Sequence, residues 1–81
     1  MIKDYCEQEI IDGKAHIHIG LQFEDEPDSL YVAVLEGDEI GAVSRWQLFY
    51  NGFDCNYQFK PHEKEELIHY AAEQGITLRE A

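Results

Sequence analysis

The chain has 81 residues, 44% of them hydrophobic and 12% aromatic, and it carries a formal net charge of −11. That is apolar material for one modest core: it excludes a wholly disordered chain, and the length excludes two ordinary domains. No apolar run approaches the roughly 20 residues of a membrane helix, and no basic start leads into an apolar stretch, so the expected setting is the cytoplasm.

In chain order, turn signals divide the first 60 residues into five predicted strands at about 3–11, 14–23, 30–36, 40–50 and 53–59. Asp12-Gly13 and Asn51-Gly52 are dipeptides of two-residue hairpin loops, where both central residues need positive φ. Glu26-Pro27-Asp28 reads as a looser polar connection, and Gly37-Asp38 as a third tight turn. The first hairpin sorts its side chains by register: with Ile11 opposite Lys14, the residues Ala15, Ile17, Ile19 and Leu21 share a face with Ile10, Gln8 and Cys6. The other face then sets Glu9 across from His16 and Glu7 across from His18, pairs worth about 0.2–1 kcal/mol each when histidine is charged. A slip of one residue would undo both faces. The Asn51-Gly52 hairpin sorts equally well, with Trp46, Leu48, Tyr50, Phe53, Cys55, Tyr57 and Phe59 on one side.

The period changes after Phe59. Pro61 suits a first helical turn, Glu63, Glu65 and Glu66 favour the positive end of a helix, and Gly75 is a C-terminal stop with Ile76 folding back. Leu67, Ile68 and Ala71 make the apolar stripe of a helix over about 61–74. Residues 76–81 read as a short edge strand or a frayed tail. The expected fold of the domain spanning 1–81 is α+β: a five-stranded antiparallel β-meander with one C-terminal helix packed on one face. One helix covers one face only. The second face, with strand 30–36 apolar on both sides and with Tyr5, Ile11 and Phe49, is left as an exposed patch that a partner or a second copy would bury.

Catalytic and metal chemistry find little support. His62, Glu66, His69 and Glu73 form a helical stripe with one Glu-x-x-His spacing, but it points away from the Leu67/Ala71 core, and carboxylate metal sites need ligands converging from several helices. His16 and His18 share a strand face and are accounted for by their glutamates. Cys6 and Cys55 belong to no C-x-x-C motif and, falling on apolar faces, read as buried, reduced thiols. Ser29, Ser44 and Thr77 lie in no nucleophile-elbow context, and no glycine-rich loop precedes the helix. The expectation is a non-enzymatic chain without metal or cofactor.

Charge is the strongest functional signal. Seventeen carboxylates face six bases, which opposes binding to nucleic acid and to anionic membranes. The surface is either acidic for solubility or acidic for a basic protein partner. No base occurs between Lys14 and Arg45, a stretch holding Glu24, Asp25, Glu26, Asp28, Glu36, Asp38 and Glu39. In composition the chain resembles the small acidic inhibitors that phages and mobile elements use against host defence enzymes, several of which mimic nucleic acid. The resemblance extends to no motif. It implies an inhibitor or adaptor acting on a basic protein of the kind that binds nucleic acid; the base-free run itself offers the seven carboxylates as the contact, and an apolar anchor such as Phe49 or Tyr31 would supply affinity. In a meander the two acidic clusters fall at opposite sheet ends, which suits two separate contacts better than a continuous groove mimic. The alternatives are a homodimeric accessory protein using the apolar sheet face, and a small-ligand or metal-binding domain.

Overall fold

The computed structural model describes residues 1–81 and shows an open antiparallel sheet with one helix. The strands are β1 (Ile2–Ile11), β2 (Lys14–Phe23), β3 (Glu26–Asp38), β4 (Ala42–Tyr50) and β5 (Phe53–Asp54), hydrogen-bonded in chain order; helix α1 (Pro61–Glu73) and a short strand β6 (Arg79–Glu80) follow. β6 runs parallel to the start of β4.

The first hairpin follows the expected register from Ile11↔Lys14 to Tyr5↔Gly20, then shifts by one residue across a bulge before Lys3↔Leu21. Asp12 and Gly13 have φ of 51° and 77°, and Asn51 and Gly52 have 50° and 82°. Both loops therefore take the doubly left-handed form whose twist matches the flanking strands.

Two expected turns are corrected. Glu26-Pro27-Asp28 is the opening of β3, and the loop before it shrinks to Glu24-Asp25, with Phe23 facing Glu26. Pro27 is tolerated because β3 pairs with β4 only from Val32 onward, so the missing N–H costs no bond in that ladder. Gly37-Asp38 is likewise strand: Gly37 pairs with Ala15 and Val43 beside a register shift in the β3–β4 ladder. The turn lies at Glu39–Gly41, where the Asp38 carboxylate accepts the Ile40 and Ala42 N–H groups at 3.1 and 2.9 Å. β4 accordingly starts at Ala42 and not at residue 40.

The fifth strand is shortened from the expected 53–59 to two residues. Asp54 causes this: its carboxylate accepts the Asn56 N–H at 2.8 Å and the Gln47 side-chain amide at 3.1 Å. Asn56 adopts φ of 52°, and the chain leaves the sheet. Residues 55–60 then cross toward the helix, burying Phe59 against the core.

Opposed residues of antiparallel strands share a face. The helix-side face carries Ala15, Ile17, Ile19 and Leu21 of β2, Ala33 and Leu35 of β3, and Val43 and Leu48 of β4, all buried under Leu67 and Ala71 of α1 with Phe59 and Leu78. The helix ends as expected at Gly75: the Gly75 N–H donates to Ala72 and the Ile76 N–H to Ala71, closing a Schellman motif. It also begins at Pro61, as expected. Glu63, expected as a first-turn acid, is in addition buried, and it accepts the Lys60 N–H at 2.8 Å.

Candidate functional site

The meander puts the Asp12-Gly13 and Glu39–Gly41 turns at one end of the sheet and the Glu24-Asp25 and Asn51-Gly52 turns at the other. The two acidic clusters therefore lie at opposite ends, separated by about 30 Å of strand.

Their carboxylates are in different states. Glu36 sits inside β3 on the open face, 3.6 Å from Lys14 and 3.9 Å from His16, with Arg45 directly across. Asp38 is occupied by turn amides. Glu39 is exposed at the turn. At the opposite end Glu24 lies 3.3 Å from the α-amino group, and Glu26 accepts the Tyr31 hydroxyl at 2.9 Å. Asp25 and Asp28 are exposed without an intramolecular hydrogen bond or ion pair.

Tyr31 and Phe49 are separated by the sheet. Phe49 pairs with Val32 on the open face, and Tyr31 pairs with Leu21 on the helix side. They cannot anchor one contact. Tyr31 instead belongs to an aromatic group: its ring centroid is 5.2 Å from Phe23 and 4.9 Å from Tyr50, and Phe23 is 5.8 Å from Tyr57. Phe23, Tyr31 and Tyr57 wall a cleft of about 310 Å³ with Leu48, Asp25, Glu26 and Cys55. Sequence reasoning missed this site because it placed Phe23 and Tyr57 in separate hairpins; the early end of β5 is what brings them together.

Tyr57 is fastened from below. Its hydroxyl donates to both Glu63 carboxylate oxygens, at 3.0 and 2.7 Å. Loss of hydration, then the bond to Glu63, then the Glu63 and Asp25 charges push the phenol up to about 12. The Tyr31 phenol is also raised, chiefly by its bond to Glu26. The unfolded chain ionises its tyrosines near 10, so the Tyr57 contribution to stability is complete below pH 10 and is lost as pH rises toward 12. In an alkaline titration followed by phenolate absorbance, Tyr31, Tyr57 and Tyr70 should ionise above the other two tyrosines, with Tyr57 last, and Tyr57→Phe should remove the latest step. A titration with all five tyrosines ionising together would contradict the Tyr57–Glu63 contact.

The open face divides in two. Toward the Glu24-Asp25 end it presents Ile2, Leu30, Tyr5, Val32 and Phe49, with Ile2 and Leu30 at 49% and 44% exposure. Toward the other end it presents the cross-strand rows Glu7/His18 and Glu9/His16/Glu36/Arg45. In the apolar half the Tyr5 ring lies where a β-carbon on Gly20 would go, so a side chain at that position would have to displace the ring.

On the helix, His62, His69 and Glu73 are exposed and Glu66 is half-covered, 3.6 Å from Lys3 of β1. No three His, Cys, Asp or Glu side chains converge as metal ligands. The Ser44 hydroxyl donates to the Glu36 carbonyl. Cys6 is half-buried, with its thiol raised by burial and then by Glu7, whereas Cys55, expected to be buried, is exposed at the cleft rim because β5 ends at Asp54 before it. Cys6 lies three strands from Leu48, whose carbonyl accepts the Cys55 N–H, so about 14 Å of sheet keeps the thiols from pairing. No helix is long and apolar enough to cross a membrane. The chain matches no protein-family model, no curated protein and no solved structure.

Proposed function

We propose that the protein is a small acidic protein-binding domain, an inhibitor or adaptor whose partner is a basic protein of the kind that also binds nucleic acid. The observation that carries this reading is the Glu24–Asp28 end of the sheet. Four carboxylates occupy five residues there, Asp25 and Asp28 without partners, and the exposed rings of Tyr50 and Phe53 stand at the neighbouring turn. Carboxylates accelerate encounter with a cationic surface, and aromatic anchors supply residence time. In the opposite cluster Glu36 is paired with Lys14 and Asp38 is occupied by turn amides, leaving Glu39 alone free, so one end, not two, is the natural contact.

The test is affinity capture from lysate at low and high salt, followed by association kinetics with the captured protein. Replacing Glu24, Asp25, Glu26 and Asp28 by Gln or Asn should slow association about tenfold at low salt and flatten the salt dependence, with the fold intact. Unchanged rate and salt slope would reduce the acidity to a solubility device. A second reading, a homodimeric accessory protein, is favoured by the apolar half of the open face; a dimer in sedimentation with no basic partner captured would support it instead.

A further inference from the structure

The cleft at the acidic end has a chemistry of its own. Three rings, those of Phe23, Tyr31 and Tyr57, form its walls, Leu48 contributes an apolar surface, and the carboxylates of Asp25 and Glu26 complete the lining. Its volume of about 310 Å³ lies at the small end of the roughly 300–1,000 Å³ typical of ligand pockets, a size for one side chain and not for a cofactor. Aromatic faces and carboxylates together recognise a cation, and a planar guanidinium best, because it stacks on rings while its fork of N–H donors meets carboxylate oxygens.

The walls are already fixed. Tyr57 is tied to buried Glu63, and Tyr31 is tied to one oxygen of Glu26, Oε2, which leaves Oε1 and the whole of Asp25 without partners. No cation of this chain fills the cleft. Lys64, by contrast, sits 5.3 Å from the centre of the Trp46 ring and 3.3 Å from Glu80, so the tryptophan already has its own cation. The remaining bases are engaged elsewhere or lie outside the cleft lining: Lys3 with Glu66, Lys14 with Glu36, Arg79 with the Ile40 carbonyl, Arg45 in the open-face row, and Lys60 at the helix start.

We infer that this cleft receives an arginine side chain of the basic partner, its guanidinium stacked among Phe23, Tyr31 and Tyr57 and bonded to Asp25 and Glu26. The inference rests on the proposed protein-binding reading and names the subsite through which it becomes specific. Charge steering alone would accept lysine and arginine equally; an aromatic slot with two carboxylates prefers arginine.

The test titrates the isotopically labelled full chain with tetra-arginine, tetralysine and tetra-citrulline peptides at low salt, following the aromatic ring resonances. Tetra-arginine should shift the Phe23, Tyr31 and Tyr57 rings saturably, tetralysine more weakly, and neutral tetra-citrulline not at all. Tetra-arginine should also slow alkylation of Cys55 at the rim while leaving Cys6 unaffected. Asp25→Asn, an exposed turn substitution that removes no intramolecular bond, should weaken the arginine peptide about tenfold. Phe23→Leu should do the same by removing a ring while keeping apolar bulk. Peptide binding that shifts the 24–28 backbone but leaves the three rings and Cys55 unmoved, or that is equal for lysine and arginine and indifferent to Asp25→Asn, overturns the inference and leaves the broader reading standing. No binding of either cationic peptide overturns both.

Discussion

Leu67→Asp is expected to leave the chain unfolded at room temperature. Leu67 is fully buried at the middle of the helix, over the β2 and β3 side chains that form the centre of the core. Truncating such a leucine to alanine costs about 2–5 kcal/mol through lost transfer energy and the cavity left behind. Aspartate adds an unpaired charge in a place without water, a cost of several kcal/mol more unless the group protonates or the helix lifts off. A domain of this length has a total stability of only about 4–12 kcal/mol. Circular dichroism should therefore show loss of the native spectrum for Leu67→Asp, and for Leu67→Ala a cooperative transition at a markedly lower temperature. A Leu67→Asp protein melting within a few degrees of the parent would mean that α1 does not cover this face.

Gly41→Ala is the second substitution with a large expected cost, and Gly13→Ala is its control. Both glycines have positive φ, 94° and 77°, so an L-residue pays about 1–2 kcal/mol for the backbone at either position. They differ in surroundings. A β-carbon at Gly13 meets nothing within 4 Å, whereas at Gly41 it would run into the Thr77 carbonyl. That contact belongs to the clamp that holds the C-terminal segment: the Arg79 N–H donates to the Gly41 carbonyl at 2.9 Å, the Arg79 guanidinium to Ile40 at 2.9 Å, and the Ala81 N–H to Val43 at 3.0 Å. Pushing the segment away also uncovers Leu78, which is buried in the core. Gly41→Ala should cost about 3–4 kcal/mol against about 1–2 for Gly13→Ala in chemical denaturation. Equal costs would show that the tail contributes nothing to folding.

The tail also illustrates what neighbouring residues cannot specify. Residues 76–81 read as edge strand or frayed end, because two residues of pairing carry no periodic signal. The pairing is decided by a glycine nearly forty residues earlier that leaves room for the Thr77 carbonyl. Glu63 is a similar case. In sequence it is one of several acids at a helix start; in the fold its buried carboxylate accepts both the Lys60 N–H and the hydroxyl of Tyr57, which the early end of β5 delivers. The functional surface follows the same pattern. Seven carboxylates between Lys14 and Arg45 were visible as a run, yet Glu36 is paired inside the sheet and Asp25 stands free beside an aromatic cleft.

What the sequence determined by itself was set by chemistry between residues close in the chain. Asp12-Gly13 and Asn51-Gly52 accept the doubly left-handed turn, the alternation on either side of the first turn holds the register as far as Tyr5 and Gly20, and Gly75 ends the helix. Each of these needs only a local conformational preference and a face to bury. Tertiary structure decided the rest: that Pro27 could lie in a strand, that Asp54 turns the chain out of the sheet, and that Tyr31 and Phe49 lie on opposite faces. It also decided that Phe23, Tyr31 and Tyr57 meet around two carboxylates. These outcomes depend on which distant groups fill the space next to a residue, and the same short sequence would satisfy its own hydrogen bonds differently beside another neighbour.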